Sequence, residues 1–415
     1  MNVIVMGQGY VGLPLAMAAV AAGHHVIGFE PDLARAGSLR EGRSYVEDIP
    51  DKQLREALDS ERYQPTADET QVRDFDVAVI TVPTPLLDRQ PDLSYVRSAV
   101  ETLAAHLPAG ATVILESTTH PGTTRELVVP ILEAATGWTA GQDFHVGFSP
   151  ERIDPGNDRW TFGNTPKIVA GLTPACQARV HEFYASITQH VVPANSLEAA
   201  ELAKVFENTY RHVNIALVNE LGRLAHVLDV DVWHTLELAA TKPFGFTKFT
   251  PGPGVGGHCL PVDPVYLTHH ARTQHGHAFR LVELAQDVND SQPAYVVGRL
   301  QDTLNSRFQR SLSGARILAL GLAYKPGTAD VRESPAVAVA ELLIEKGARV
   351  DIVEPHLAKV TPRDFRAIPK DLGIYDAVVL LTPHDDFDLQ HVADQATYVL
   401  DTRGVMPVAP HIERL

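Results

Sequence analysis

A short loop rich in glycine and proline contains the residue best suited to covalent chemistry. Cys259 follows the run Pro251-Gly-Pro-Gly-Val-Gly-Gly-His258, which predicts a loop and not a helix or strand. A thiol on such a loop is accessible, and its thiolate is a nucleophile when a donor or a positive charge stabilises it. Cys259 is therefore the candidate nucleophile, whereas Cys176, in the predicted helix 174–186, is expected to be a buried structural thiol.

Three further polar residues have types and spacing that suit the chemistry of a thiol adduct. Asp263 lies four residues after the cysteine and can act as a base on water. Lys204 and Asn208 are four residues apart in a predicted helix, so they project from one face and can offer an ammonium and an amide to an oxyanion. Taken singly, Lys204 and Asn208 have the character of solvated helix-surface residues, and spacing alone does not bring their helix to the cysteine loop.

The N-terminal segment has the pattern of a dinucleotide-binding turn. Gly7-Gln-Gly9-Tyr10-Val11-Gly12 follows a predicted strand and opens a predicted helix, where glycines allow a tight turn and the approach of a pyrophosphate. Glu30 ends the next predicted strand, where a carboxylate binds the ribose hydroxyls. Because a carboxylate there repels a 2′-phosphate, the expected cofactor is NAD and not NADP.

The elements that must position these residues are predicted to form an α/β fold. Strands at 3–6, 25–29, 77–82, 112–115 and 145–148 alternate with helical patterns such as 10–22 and 93–106, which favours a parallel, doubly wound sheet. Segments at 316–321, 349–355, 375–383 and 397–402 repeat this strand pattern in the same order. The sequence therefore predicts two Rossmann-like domains joined by a long central helix and a helical domain, divided at 1–195, 196–310 and 311–415.

The central and C-terminal segments leave two points open. Apolar residues at 200, 203, 206, 210, 213 and 217 recur at helical spacing, so a long helix should link the halves. Its apolar surface serves either as a dimer interface or as packing between the end domains. In the second Rossmann-like domain the equivalent turn, Gly321-Leu-Ala-Tyr-Lys-Pro-Gly327, lacks the fingerprint, which indicates a different nucleotide with Lys325 available for its phosphates.

Composition narrows the class of protein. The formal net charge of −16 argues against nucleic acid or an anionic membrane as a standing partner. Two cysteines do not make a disulfide framework, the N-terminus lacks the features of a signal peptide, and no apolar run reaches the roughly 20 residues of a membrane span. A cytoplasmic location is therefore expected, and composition alone names no function.

The whole chain resembles the UDP-sugar 6-dehydrogenase family of nucleotide sugar dehydrogenases. The lysine–asparagine pair and the cysteine loop together are the decisive match. The matching segments are Gly7–Gly12, Thr81-Val-Pro83-Thr84-Pro85, Glu116-Ser-Thr118-Thr-His-Pro-Gly122, Ser149-Pro-Glu151-Arg152, Lys204-Val-Phe-Glu-Asn208, the loop 254–263 and Tyr324-Lys325-Pro followed by Asp330-Val-Arg332-Glu-Ser334.

The resemblance implies oxidation of a sugar alcohol twice without release, with two NAD+ reduced. It implies that Cys259 forms a thiohemiacetal and then a thioester, that Lys204 and Asn208 stabilise the oxyanion, that Asp263 positions or activates water, and that Glu151 is a candidate base. Thr118 falls near the nicotinamide and the reacting water. The implied cofactor contacts are Gly7, Gly9, Tyr10, Val11, Gly12, Glu30, Thr81, Pro83, Thr84, Thr118 and Arg332, and the implied substrate contacts are Glu151, Arg152, Lys204, Asn208, Phe249, Gly256 and Lys325.

The identity of the sugar is less determined. UDP-glucose members of the family have a second glutamate where this chain has Pro155, and its form is similar to that of the N-acetylhexosamine branch, as is Lys242-Pro-Phe-Gly-Phe246. UDP-N-acetylglucosamine is favoured, with UDP-N-acetylmannosamine and UDP- or dTDP-glucose as alternatives. No arginine lies between Arg223 and Arg272, so whether Lys242 or Lys248 replaces the inter-subunit arginine of UDP-glucose members is open.

Three rival interpretations remain at this stage. A two-electron hydroxyacid dehydrogenase needs neither Cys259 nor a second nucleotide domain. A catalytically dead sensor that binds NAD and a nucleotide sugar predicts binding without turnover. A zinc site at His258 and Cys259 lacks further ligands at suitable spacing, so no metal is expected.

Overall fold

The computed structural model describes residues 1–88, 90–153, 159–357 and 364–415. The chain divides into two compact units, Met1–Glu207 with Val265–His275, and Asn208–Pro264 with Gly276–Leu415. Asp154, Pro155 and Gly156, which bear on the choice of sugar, lie outside the described residues. In the part of the chain that is described, no helix has both the length and the apolar character needed to cross a bilayer.

The strands and helices have the following bounds. The strands are β1 Asn2–Met6, β2 His25–Phe29, β3 Tyr63–Thr66, β4 Val77–Ile80, β5 Leu86–Leu87, β6 Gln90–Pro91, β7 Thr112–Leu115, β8 His145–Phe148, β9 Lys167–Gly171, β10 Val191–Pro193, β11 Arg316–Leu320, β12 Arg349–Val353, β13 Asp364–Phe365, β14 Ala377–Leu380, β15 Val399–Asp401 and β16 Ile412–Arg414. The helices are α1 Gly12–Ala21, α2 Leu33–Arg40, α3 Asp51–Asp59, α4 Ser94–Ala104, α5 Val129–Thr136, α6 Pro174–Ile187, α7 Leu197–Val227, α8 Val232–Ala240, α9 Asp263–His275, α10 Arg280–Asp290, α11 Gln292–Phe308, α12 Pro335–Glu345 and α13 Leu389–Gln395.

The first unit contains a sheet whose described strands run in the order β10-β9-β8-β7-β4-β1-β2-β3. Its central strands are apolar and buried on both faces, as expected where helices cover a parallel sheet. Every neighbouring pair is parallel except β8 and β9, which are antiparallel and depart from the predicted doubly wound pattern. A parallel neighbour needs a crossover connection, usually a helix, and the described residues between β8 and β9 contain no helix.

The second unit contains a parallel sheet whose described strands run in the order β13-β12-β11-β14-β15-β16. Strand β11 pairs with β12 on one side and β14 on the other, as β1 pairs with β2 and β4 in the first unit. The four repeated segments of the sequence thus occupy equivalent positions in the two sheets, and the prediction of two Rossmann-like α/β domains is confirmed.

The long helix α7 confirms the predicted central helix and shows which way its apolar stripe faces. Ala200 is buried, but Phe206, Tyr210 and Leu217 are exposed by 55%, 45% and 62%. The exposed stripe continues to Leu224. Much of the apolar repeat is therefore not used for packing within the described chain.

Candidate active site

Three glycines after β1 shape the turn that leads into α1. Gly7 has φ +93°, and a Cβ added there would lie 2.9 Å from the carbonyl oxygen of Thr81. A Cβ on Gly12 would lie only 1.9 Å from the oxygen of Gly7, so only glycine at this position lets the helix pack on the turn. A Cβ on Gly9 would meet no described protein atom within 4 Å, which leaves open space beside the backbone. This is the division of roles that a pyrophosphate-binding turn requires.

Side chains around the turn complete a site that fits a dinucleotide. Thr81 Oγ1 donates to the oxygens of Met6 and Gly7, both at 2.9 Å, and so holds the turn against β4. Glu30 lies buried after β2, where its carboxylate accepts from the backbone nitrogens of Gln8 and Asp32 at 3.2 Å each. The carboxylate is therefore held in place beside the turn, at the end of β2, which is the position of the acidic residue in a dinucleotide-binding fingerprint.

The remaining predicted cofactor residues differ in exposure. Tyr10, Val11 and Thr118 are half-buried, Thr84 is buried and Pro83 is exposed. Arg332 belongs to the second unit and is exposed; its guanidinium bonds to Asp330 at 2.5 Å.

The cysteine loop in the second unit is irregular up to α9, as predicted. Gly257 has φ +86°, and its nitrogen donates to Arg332 O at 3.0 Å. A Cβ there would lie 2.8 Å from the ring of Tyr324, so the loop approaches its neighbours too closely for any other residue. Cys259 is exposed, whereas Cys176 is fully buried. These exposures agree with the expected accessible thiol at Cys259 and buried thiol at Cys176, and the role of Cys259 as a nucleophile stays a prediction.

A second fixed point of the loop is the backbone of Gly252. Its nitrogen donates to Asn219 Oδ1 at 3.0 Å, and its oxygen accepts from Gln292 Nε2 at 2.9 Å. Asn219 Nδ2 in turn donates to Asn289 Oδ1 at 3.0 Å, and all three amide side chains are buried. Sequence reasoning missed these three amide residues. Their only signal in the sequence is that polar side chains stand at helical positions that would otherwise suit apolar ones.

The lysine–asparagine pair is buried, which overturns its interpretation as solvated helix surface. Lys204 and Asn208 are exposed by only 8% and 7%, because the face of α7 that they share is turned into the protein. Asn208 Nδ2 donates to Asp263 Oδ2 at 2.5 Å, and Asp263 is itself 2% exposed. The backbone nitrogen of Asp263 donates to Cys259 O at 2.8 Å as α9 begins. Within the second unit, the structure therefore brings Asn208, Asp263 and the cysteine loop together.

Glu151 belongs to a buried charged cluster in the first unit. Lys167 Nζ forms an ion pair with Glu116 Oε1 and lies 3.6 Å from Glu151 Oε2. Tyr184 donates its hydroxyl hydrogen to the second oxygen of Glu116. Sequence reasoning identified Glu151 but not Lys167 or Tyr184, because these residues are far apart in the chain. It gave no role to Glu116, although Glu116 stands in the same matching segment as Thr118.

Burial and neighbouring charges act in opposite directions on the two carboxylates. Burial raises the pKa of Glu116 to about 7, although Lys167 opposes that rise. Burial acts to raise the pKa of Glu151 as well, but Lys167, a hydrogen bond with Glu116 and the backbone nitrogen of Ile153 together hold this pKa below its ordinary value. Glu151 is therefore ionised at neutral pH, and Glu116 is the carboxyl that takes up the first proton as the pH falls through about 7.

The predicted substrate residues also fall into separate groups. Arg152 in the first unit forms an ion pair with Glu207 at 2.7 Å and donates to Pro166 O at 2.9 Å. Phe249 in the second unit lines a cavity of about 310 Å³ with Ile215, Lys248, Thr250, Gly252, Gly254 and Arg403. Burial lowers the pKa of Arg403 to about 10, and its Nε donates to Leu381 O at 2.6 Å. Sequence reasoning did not select Arg403.

The turn after β11 differs from the turn after β1 in how its amides are used. The nitrogens of Leu322 and Ala323 donate to Glu354 Oε2 at 2.7 and 3.0 Å, and His384 Nε2 lies 3.1 Å from the same oxygen. Lys325 is half-buried further along this loop. A Cβ on Gly256 would lie 2.8 Å from the oxygen of Glu333. The prediction that this turn serves a different nucleotide, with Lys325 available for its phosphates, stays a prediction.

His258 is neutral at neutral pH because burial and the nearby Arg332 lower its pKa. Among the described residues, no group of three or more His, Cys, Asp or Glu side chains is placed to hold a metal ion.

Three family models match successive parts of the chain. They are the NAD-binding domain, the central domain and the UDP-binding domain of the UDP-glucose/GDP-mannose dehydrogenase family, matched at residues 1–188, 198–291 and 318–408. The chain belongs to this family and is an NAD-dependent nucleotide sugar dehydrogenase.

Individual relatives extend the likeness over the full chain. The UDP-N-acetyl-D-glucosamine 6-dehydrogenase of Pseudomonas aeruginosa is 35% identical over 97% of this chain and 97% of that protein. The UDP-N-acetyl-D-mannosamine dehydrogenase of Pyrococcus horikoshii is 35% identical over 93% of this chain and 90% of that protein. A solved structure of UDP-D-ManNAc dehydrogenase from Pyrococcus horikoshii superposes with a TM-score of 0.92 at 32% identity, covering 100% of this chain and 99% of that one.

The fixed carboxylate of Glu30 leads to a prediction on cofactor choice. We expect Glu30→Ser to raise kcat/KM for NADP relative to NAD by at least about tenfold, because the change removes the charge that repels a 2′-phosphate. Arg35 lies 5.4 Å from the centre of the Tyr45 ring, and the pKa of Tyr45 is raised by burial and by the nearby Glu30 carboxylate, so Arg35 is a cation in the neighbourhood of Glu30. Steady-state kinetics with both cofactors measure the ratio. An unchanged ratio would mean that Glu30 does not face the adenosine ribose.

Proposed function

We propose that the chain oxidises the C6 primary alcohol of a UDP-linked sugar to a carboxylate through covalent intermediates on Cys259. The observation that carries the proposal is an exposed thiol on a loop fixed at Gly252 and Gly257, followed at once by the buried Asn208–Asp263 pair. An exposed thiol beside a buried, hydrogen-bonded carboxylate suits covalent chemistry that ends in attack by water.

The proposed reaction has two oxidations and one hydrolysis. The alcohol first loses a hydride and a proton and becomes an aldehyde, and the Cys259 sulfur then adds to the aldehyde carbon to form a thiohemiacetal. A second hydride leaves and gives a thioester, whose carbon–sulfur bond is cleaved by water. Bound NAD+ supplies the acceptor for each hydride. The balanced sum is alcohol, water and two NAD+ giving carboxylate, two NADH and three protons.

We assign the roles of the polar residues as follows. Lys204 and Asn208 donate to the oxyanion of the adduct, since both are buried donors. Asp263 positions or activates the water, and Glu151, held ionised, accepts a proton in thioester hydrolysis. Thr118 lies near the nicotinamide and this water. The proposed cofactor contacts are Gly7, Gly9, Tyr10, Val11, Gly12, Glu30, Thr81, Pro83, Thr84, Thr118 and Arg332.

The proposed substrate is UDP-N-acetylglucosamine. The proposal rests on the segment beginning Pro150-Glu-Arg152 and on the activity named for the Pseudomonas aeruginosa relative. The Pyrococcus horikoshii relative acts on UDP-N-acetylmannosamine, which makes that sugar the main alternative, followed by UDP- or dTDP-glucose. The proposed substrate contacts are Glu151, Arg152, Lys204, Asn208, Phe249, Gly256 and Lys325.

The ratio of NADH formed to nucleotide sugar consumed tests the reaction and the substrate together. We expect two NADH per sugar, with a clear preference for UDP-N-acetylglucosamine over UDP-N-acetylmannosamine, UDP-glucose and dTDP-glucose. One NADH per sugar would mean that the aldehyde is released and that Cys259 does not retain it. Binding of NAD and sugar without NADH from any of the four would favour the sensor.

We also propose a homodimer and the division into domains 1–195, 196–310 and 311–415. Phe206, Tyr210, Leu217 and Leu224 form an exposed apolar stripe on α7, which a second copy of the chain would cover. Lys242 and Lys248, which are both exposed, are the candidates to replace an inter-subunit arginine. Sedimentation equilibrium measures the mass, and a monomer at micromolar concentration would contradict the dimer. A cytoplasmic location is proposed because two cysteines do not make a disulfide framework.

A further inference from the structure

The cluster around Glu151 contains two buried carboxylates and one buried ammonium. Glu116 follows β7, Lys167 begins β9 and Tyr184 lies on α6, and the side chains of Glu116 and Lys167 are 0% and 6% exposed. Lys167 contacts both carboxylates, through the ion pair with Glu116 and the 3.6 Å approach to Glu151. Lys204 on α7 acts on Glu151 as a second, weaker positive charge.

The net charge of this group decides where a proton can be held. With both carboxylates ionised, their two negative charges are balanced by Lys167 and by the weaker influence of Lys204, so one bound proton leaves these four groups with one positive charge. A second proton would leave two positive charges in a buried cluster, which is unfavourable in an interior of low polarity. The opposite pKa shifts of the two carboxyls place the single proton on Glu116.

We propose that Glu116 and Lys167 are positioning residues that set the proton affinity of Glu151, so that Glu151 accepts a proton from the attacking water only while Glu116 is ionised. This inference rests on the proposed function, in which Glu151 is the base for thioester hydrolysis. In that step the water oxygen bonds to the thioester carbon and one of its protons passes to Glu151. The carbon–sulfur bond breaks, Cys259 leaves as a thiolate, and the product is the carboxylic acid.

The charge count gives the pH dependence of this step. When Glu116 is ionised, proton uptake by Glu151 adds only one excess positive charge to the cluster. When Glu116 is protonated, the same uptake would add a second positive charge and is much less favourable. The rate of thioester hydrolysis should therefore rise with pH through about 7, where Glu116 ionises, and then level off.

Glu116→Gln tests the proposal directly, because glutamine keeps the shape of the protonated acid but never ionises. In single-turnover reactions with NAD+ and the preferred nucleotide sugar, intact-protein mass spectrometry follows the Cys259 thioester over a range of pH. We expect hydrolysis to slow by about 100-fold, the thioester to accumulate, and the rise near neutral pH to disappear. Hydrolysis at the wild-type rate with the wild-type pH profile would overturn the proposal.

Two variants of Lys167 keep the proposal testable if Glu116→Gln does not fold. Lys167→Met removes the positive charge, so the pKa of each carboxyl should rise. The low-pH part of the pH–rate profile for thioester hydrolysis, where the rate increases, should therefore move to higher pH. Lys167→Arg restores a cation and should return that part of the profile toward its wild-type position. If the low-pH part of the pH–rate profile stays in place in Lys167→Met, Lys167 has only a structural role. The same follows if the hydrolysis rate falls in both variants only in step with a lower melting temperature.

The outcomes separate this inference from the proposed function. A Cys259 thioester in the wild type, together with an unaltered pH profile in the Glu116 and Lys167 variants, overturns the inference alone. The absence of any Cys259 adduct from the wild type and from every variant overturns the covalent mechanism and the inference with it.

Discussion

Replacement of Cys259 by alanine is expected to abolish formation of the carboxylate, with a loss of at least about 10⁴-fold in kcat. Without the sulfur, the aldehyde has no nucleophile to convert it into a hydride donor, and no thioester forms. Because Cys259 is exposed, its truncation leaves no buried cavity, and the loop keeps its bonds at Gly252 and Gly257. The dissociation constants for NAD and for the nucleotide sugar should therefore stay within about twofold of wild type.

Calorimetric titration and NADH formation measure the two halves of this prediction. The matched control is Cys176→Ala, which removes a buried sulfur lying 3.5 Å from Val146 N. We expect that change to lower the free energy of unfolding by about 1 to 2 kcal/mol and to leave turnover unaltered. A Cys259→Ala enzyme that made the acid at a normal rate would disprove the covalent mechanism.

The second large effect is expected at Asp263, whose carboxylate accepts from Asn208 at 2.5 Å. Asp263→Asn keeps the volume and an oxygen that can accept this bond, but it removes the negative charge that activates water. We expect kcat to fall by at least about 100-fold and the Cys259 thioester to accumulate, while the melting temperature changes by only a few degrees. Rapid-quench mass spectrometry and thermal unfolding measure these quantities.

Asp263→Ala provides the comparison that separates charge from packing. Alanine leaves the buried amide of Asn208 without this acceptor, which costs about 1 to 3 kcal/mol of stability. Equal losses of turnover in the two variants, with lower stability only in the alanine variant, would identify the charge as the cause. Turnover near wild type in Asp263→Asn would remove Asp263 from the mechanism.

Local patterns in the sequence were sufficient to predict the parallel sheets and the dinucleotide turn. Strands such as β1, β2 and β11 are continuous apolar runs, and Gly7, Gly9 and Gly12 have conformational or steric requirements that appear directly as glycine. The cysteine loop was predictable for the same reason. The pairing of β8 with β9 was not, because strand direction depends on the connection between the strands and not on their composition.

Burial of polar side chains was the main feature beyond the reach of sequence patterns. Lys204 has the residue type of an exposed lysine, and only the packing of α7 shows that it is buried. Glu116 and Lys167 are separated by 51 positions, so their ion pair depends on how β7 and β9 are arranged in the sheet. Their effect on the protonation of Glu151 is a property of the assembled interior and not of any one segment.

The bonds of Glu354 distinguish the turn after β11 from the turn after β1. Its carboxylate accepts hydrogen bonds from the amides of Leu322 and Ala323, so these amides in the turn after β11 are already bonded to an anionic side chain of the protein. A ligand that needed these two amides would have to displace a carboxylate that the chain itself holds beside them. The comparable carboxylate after β2, Glu30, accepts from one amide of its turn, that of Gln8, so two sheets of the same design differ in how many turn amides are bonded to a carboxylate of the chain.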